Sequence, residues 1–268
     1  MSSSQDGPLL ACDAVCAHYG AMAAVDELSF TVGHGEILGV GGPNGAGKTT
    51  LFDVISGLTP ASGGTITFDG QDITGKSADR VCHAGISRTF QLNAAYDTLT
   101  VKENVLCASY YGFRNVVFPK FRFDRATRTR ADEAIAYVGL EDDTETVVGE
   151  LPILQRKLLM LAAAVARQPR LLLLDEPVGG LNRQEIDLVM SILRRFRDEQ
   201  ALTIVLIEHV MRFLVALSDR ALIMHHGQKI YEGPANGLAR DKTVVEVYLG
   251  ERLAQRIRLG LEDAKAGD

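Results

Sequence analysis

A chain of 268 residues, 46% hydrophobic and 23% charged, has the make-up of an ordinary globular protein with room for one large core or two lobes, which excludes a disordered or fibrous chain. Its formal net charge of -6 argues against a partner bound by neutralising a phosphodiester backbone, because that binding needs a surplus of Lys and Arg; nucleic acid is not expected. The four cysteines, Cys12, Cys16, Cys82 and Cys107, have neither the density of a disulfide framework nor the paired spacing of a zinc site, and read as reduced thiols.

Along the chain, "MSSSQDGPLL" lacks the basic start and apolar stretch of a signal peptide, and residues 1–8 read as a flexible N-terminus. The first strong strand is "EILGV", followed by "GPNGAGKT" from Gly42 to Thr49 and the helical "TTLFDVISG". Strand, glycine-rich loop and helix in that order fit the phosphate-binding pattern G-x-x-x-x-G-K-[ST]. Gly42, Gly45 and Gly47 let backbone N–H groups curl round an anion, and the new helix adds its positive end. Lys48 supplies a charge for the β and γ phosphates, and the Thr49 hydroxyl suits Mg2+.

"GTITFDG" and "ISRTFQ" continue the β-type runs, with Gln91 ending the second where a movable loop could sense metal and water. From about 92 to 166 the pattern turns helical, with "VKENVLCASYY" and "RATRTRADEAIAYVGL" flanking the aromatic and basic stretch "YYGFRNVVFPKFRF" from Tyr110 to Phe123. This reads as a helical subdomain inserted into an α/β core, and its aromatics with Arg114 and Arg122 are a candidate docking surface. "LLLLDEP" is a buried strand ending in two carboxylates: Asp175 suits a metal ligand and Glu176, on the other side, suits polarisation of a water. "LTIVLIEH" brings His209 to a similar strand end, where it could donate to a phosphate. Tyr19 offers a ring for stacking on a base. Apolar strands alternating with helices predict a mainly parallel sheet; "RALIMHHG" is its last run, and 251–268 is a charged tail. The longest apolar runs fall far short of the roughly 18 to 20 residues that span a bilayer, so a membrane tie is expected through a partner only.

The order Tyr19, "GPNGAGKTT", Gln91, "LLLLDEP", "VGGLN" and "IEH" resembles the nucleotide-binding subunits of ABC transporters over residues 9–250. The resemblance implies a P-loop NTPase with a RecA-like core, an antiparallel β subdomain and the inserted helical subdomain. It implies an ATPase using ATP and Mg2+. Tyr19 would stack on adenine, and Gly42, Pro43, Asn44, Gly45, Ala46, Gly47, Lys48, Thr49 and Thr50 would hold phosphates. Thr49, Gln91 and Asp175 would serve the metal. Glu176, His209 and Gln91 would carry catalysis. "GISRTFQ", "LTVKENVL", "LIEHVM" and "VVEVYLGE" look like the branched-chain amino acid importer branch; urea, amide and aromatic-acid importers and the lipopolysaccharide-export ATPase share parts of the pattern. Implied partners are a second ATPase subunit, transmembrane permease subunits and a periplasmic or extracellular solute-binding protein, with the chain peripheral on the cytoplasmic face of the inner membrane.

In that family two subunits enclose two ATPs, each completed by the partner's "LSGGQ". Counting back from "LLLLDEP", the motif falls on Leu151, Pro152, Ile153, Leu154 and Gln155. The serine hydroxyl and both glycines are gone, and Pro152 lacks a backbone N–H, although proline is a favourable helix start. A homodimer is expected to hydrolyse ATP poorly. A heterodimer with a sister ATPase carrying an intact motif would have one competent site. The rival reading is a regulatory ATP-binding subunit, against which Glu176 and His209 count. A soluble ABC ATPase of repair or translation would need coiled coils or a tandem second ATPase, and this sequence has neither.

Overall fold

The computed structural model describes residues 7–89, 95–113, 123–248 and 250. Two sheets organise the chain. The first is antiparallel, in the order β2-β1-β4-β5, built from β1 (Leu10–Tyr19), β2 (Met22–Val32), β4 (Gly63–Phe68) and β5 (Gln71–Asp72). The second has the order β10-β9-β3-β8-β7-β6, from β3 (Ile37–Gly41), β6 (Ile86–Arg88), β7 (Leu171–Asp175), β8 (Thr203–Ile207), β9 (Arg220–His225) and β10 (Gln228–Pro234). Its strands are parallel except for β10, which pairs antiparallel with β9 at the edge.

The continuous apolar runs are explained by burial on both faces. Every residue of β3, β7 and β8 is buried, as parallel strands covered on each side require. Alternation within each strand still sorts the side chains. Ile37, Leu172, Leu174, Ile204 and Leu206 enter one core with the helices α3 (Val101–Phe113), α4 (Arg125–Val138), α5 (Ile153–Val165), α6 (Arg183–Gln200) and α7 (Met211–Leu217). Leu38, Val40, Leu171, Leu173, Val205 and Ile207 face the other way, onto α1 (Lys48–Ile55) and the antiparallel sheet. The short α2 (Ala78–Ala84) leads into β6.

"GTITFDG", read among the runs of the parallel sheet, pairs with β1 in the antiparallel sheet instead. The buried positions of β4 alternate from Ile66 to Phe68 and so cover one face only, which marks an antiparallel partner. Residues 101–165 hold α3, α4 and α5, which pack on one another. α6 is anchored by a capping box in which Asn182 accepts from Gln184 and Glu185 while Glu185 accepts from Asn182. Among the described residues, no helix is long and apolar enough to cross a membrane.

Register brings the strand ends together. Val40 and Asp175 both align with Ile207, and Arg88 aligns with Leu173. The chain segments leaving β3, β6, β7 and β8 therefore leave the sheet along one edge, the carboxyl edge where open α/β sheets bind ligands.

Candidate active site

The loop after β3 needs its glycines for two different reasons. Gly42 and Gly47 have φ of 143° and 98°, and a Cβ on them would lie 2.2 Å from the Met224 carbonyl and 2.0 Å from the Ala24 carbonyl. Gly45, at φ 78°, faces open space, so only its backbone conformation calls for glycine. Lys48 is buried over the loop it follows, with Nζ donating to the carbonyls of Gly42 at 2.7 Å and Pro43 at 2.8 Å. α1 starts with no side-chain cap and no acidic residue in its first turn, so nothing there opposes an anion at its positive end. Tyr19, at the end of β1, is half exposed. It shares a cavity of about 330 Å³ with Asn44, Lys48, Thr49, Glu176, Ile207 and His226, so five separate segments of chain converge there.

Asp175, at the end of β7, is buried and held by Arg88 from β6: Nη2 lies 3.2 Å from Asp175 Oδ2, while Nη1 lies 2.6 Å from Asp53 Oδ1 on α1. The guanidinium also sits over the Phe52 ring, 5.6 Å from its centroid. Burial pushes the Asp175 carboxyl above the usual carboxylate range, and Arg88 opposes that shift. Gln91, three residues beyond Arg88, lies outside the described residues, as do Arg114 and Arg122.

Glu176 adopts φ of 50°, a left-handed conformation uncommon outside glycine and characteristic of strained functional turns. Its N–H donates to the Ile207 carbonyl at 3.0 Å, extending the pairing of β7 with β8, and its side chain, 37% exposed, lines the cavity. His209 Nδ1 stands 3.6 Å from Glu176 Oε1, so the two side chains form one pair at adjacent strand ends. Behind them are two buried charges. Glu208 is fully buried and its carboxylate accepts from the N–H groups of Val178 at 3.0 Å, His209 at 3.2 Å and Val210 at 3.4 Å. Lys157 of α5 donates from Nζ to the Glu176 carbonyl at 2.6 Å. Burial raises the Glu208 carboxyl and lowers the Lys157 ammonium. Sequence reading passed over Arg88, Lys157 and Glu208; for Glu208 the available signal was a carboxylate closing the apolar run "TIVLI", while Arg88 in "ISRTF" and Lys157 in "LQRKLL" carry no such mark.

The 151–155 turn straddles a helix boundary. Leu151 is extended and buried in the core, Pro152 is the N-cap, and α5 begins at Ile153. No side chain caps this start. Ile153 is 48% exposed, placing its side chain on the surface where a small residue would leave the backbone open. Arg156 braces the turn, donating to the carbonyls of Leu151 at 3.2 Å and Gly149 at 3.0 Å. A second cavity, about 380 Å³, opens between α3 and α5, lined by Tyr96, Tyr111, Met160 and Arg167. Tyr110, from the aromatic stretch, is buried against Phe123, whereas Tyr111 is exposed.

The ABC transporter family profile matches residues 25–179. The high-affinity branched-chain amino acid transport ATP-binding protein BraF of Pseudomonas aeruginosa is 30% identical over 91% of this chain and 98% of its own length. The corresponding protein LivG of Salmonella typhimurium is 32% identical over the same shares of the two chains. Among solved structures, a nucleotide-free ATP-binding cassette from an ABC transporter superposes with a TM-score of 0.83 at 27% identity, covering 90% of this chain and 99% of that one. The ADP conformation of such a cassette gives the same TM-score and identity over 91% and 99%.

Proposed function

The chain belongs to the ABC transporter family as a transport-coupled ATPase subunit of the branched-chain amino acid branch, and from that premise we propose that it energises uptake of branched-chain amino acids or a related small polar or organic-acid solute from within an asymmetric heterodimer. The observation that carries the asymmetry is the contrast between the two halves of its active surface. Lys48, Thr49 and Glu176 share one cavity with His209 beside them, whereas the turn offered to a partner's nucleotide presents Pro152, Ile153 and Leu154.

In the chain's own site, Tyr19 stacks on the adenine and the backbone from Gly42 to Thr50 wraps the phosphates. Lys48 exchanges its contacts with the Gly42 and Pro43 carbonyls for phosphate oxygens. The Thr49 hydroxyl and the Asp175 carboxylate are hard oxygen donors of the kind Mg2+ takes alongside phosphate oxygens and water, and Gln91 joins them. When bound there, Mg2+ would neutralise charge on the phosphates. Glu176 accepts the proton of the attacking water, and His209 donates to the γ-phosphate. The partner's intact motif closes this site. The other site, closed by 151–155, lacks the serine hydroxyl and the approachable glycine backbone; each lost donor to a transferring phosphoryl group costs roughly 10²- to 10³-fold in rate.

Permease subunits anchor the chain peripherally at the cytoplasmic face of the inner membrane. The cavity between α3 and α5 supports that docking: Tyr96 and Tyr111 are exposed there, and Arg167 Nε has no hydrogen-bond partner among the described residues. A solute-binding protein delivers the cargo on the far side. Purifying the native membrane complex, identifying its subunits by mass spectrometry and measuring ATP hydrolysis with each candidate solute on its receptor tests this reading. A second ATPase and stimulation by a branched-chain amino acid or an organic acid are expected. A complex holding two copies of this chain as its only ATPase would overturn the asymmetry.

A further inference from the structure

Two buried charges meet behind Glu176 without forming an ion pair with each other. Lys157 extends from α5 and donates to the Glu176 carbonyl at 2.6 Å. Glu208, at the end of β8, accepts from Val178 on one side and from His209 and Val210 on the other. The segment between them lies beside both groups: a Cβ on Gly179 would sit in ordinary contact, 3.8 Å from Lys157 Nζ and 3.9 Å from Glu176 Oε2. A Cβ on Gly180 would lie 3.9 Å from Ile153 Cγ2. Ile153 and Lys157 are four residues apart, so they share one face of α5, and that face lies against 176–180.

Neither charge is there for solubility. Glu208 has no exposed surface and Lys157 is 9% exposed, and burying such groups is costly unless their polar atoms are satisfied. What satisfies them is backbone at the turn that sets Glu176 and the turn that sets His209. Because a buried polar group left unpaired is costly, each of these hydrogen bonds holds its stretch of backbone in place.

We propose that Lys157 and Glu208 are positioning residues that clamp the 176–180 segment between α5 and β8, and that Lys157 makes α5 a mechanical link from the 151–155 turn to the chain's own Glu176. The turn closes one nucleotide site and Glu176 serves the other, so a shift of α5 on nucleotide closure at the first site reaches the backbone of Glu176 in the second through one hydrogen bond. The inference rests on the roles given above to Glu176 and the turn. It also gives the altered turn a use: α5 transmits position whether or not its first residues bind phosphate.

The test combines turnover of the assembled complex with amide hydrogen exchange of the purified full chain, using Lys157→Met, Lys157→Arg, Glu208→Leu and Glu208→Gln. Lys157→Met and Glu208→Leu are expected to lower kcat about tenfold or more, with the KM for ATP held within about twofold, as loss of a buried charged hydrogen bond predicts. Exchange should rise in 176–182 for the first and in both 176–182 and 208–211 for the second, with α1 unchanged. Lys157→Arg and Glu208→Gln should recover part of both readouts, and they carry the test if the harsher variants do not fold. Unchanged exchange at 176–182 in every variant, or kcat and KM lost together without rescue, overturns the clamp. Glu176→Gln is run in parallel: if it leaves turnover intact the assignment of Glu176 falls, while the exchange data still judge the clamp.

Discussion

Arg88 and Asp175 form a buried ion pair, with Nη2 3.2 Å from Oδ2 and each side chain about nineteen-twentieths shielded from solvent. The same guanidinium reaches Asp53 on α1, so one cation ties the helix after the phosphate loop to the strand that ends in the paired carboxylates. This linkage crosses from β6 to β7 and into α1.

Removing that cation leaves two carboxylates facing each other in a shielded place. Breaking a buried pair from one side costs about 3 to 5 kcal/mol, on the order of 10 °C in Tm for a chain of this size. Arg88→Met should therefore melt clearly below wild type in a thermal scan. Arg88→Lys should recover only part, since a single ammonium cannot bridge Asp53 and Asp175 as the fork does.

The glycines of the phosphate loop predict a graded series. Gly47→Ala drives a methyl to 2.0 Å from the Ala24 carbonyl, so backbone must move and both stability and nucleotide binding should be lost. Gly45→Ala meets open space and carries only the strain of φ 78°, about 1 kcal/mol. Fluorescent-nucleotide titration and thermal unfolding of the two variants check the order. Equal damage would mean that close approach of backbone does not shape the loop.

Glu208 predicts a pH dependence of stability with a definite sign. Burial raises its carboxyl above the unfolded value, so between the two pKa values the folded state binds more protons than the unfolded one. Its contribution is fully present below the unfolded pKa and is lost as pH rises through the folded one. The Tm difference between wild type and Glu208→Gln, scanned from about pH 4 to 8, should accordingly shrink as pH rises. A difference that grows with pH would contradict the burial of an ionisable group there.

Restoring the turn offers a gain-of-function test. Pro152→Ser with Ile153→Gly and Leu154→Gly returns a hydroxyl and two open peptides to the start of α5. Turnover by a homodimer of this chain should rise by roughly 10²-fold or more, at about 1 kcal/mol of helix stability per glycine. Steady-state ATPase assays of the two homodimers make the comparison.

The parts of this molecule that could be read from sequence are those fixed by local pattern. The runs "EILGV", "LLLLDEP" and "LTIVLIEH" became β3, β7 and β8 because continuous apolar strands need cover on both faces. Gly42, Gly45 and Gly47 were readable because the phosphate-loop pattern is local, whereas the Met224 and Ala24 carbonyls that exclude a Cβ at Gly42 and Gly47 come from distant chain. "GTITFDG" was strand-like but went to the other sheet, since a strand's pattern does not name its partner. Lys157, Glu208 and Arg88 were passed over because their partners lie 19, 30 and 87 residues away. A charge in a strand or helix gains meaning only when the fold supplies what it binds.

The central claim is that hydrolysis takes place in the site built on this chain's Glu176 and closed by a partner's intact motif. ATPase activity of the assembled complex with Glu176→Gln in this chain, beside the equivalent change in the partner ATPase, tests it most directly. The account predicts that Glu176→Gln abolishes most turnover, about 10²-fold or more, and that the partner's change leaves most of it. Turnover that survives Glu176→Gln but is abolished by the partner's change would contradict it.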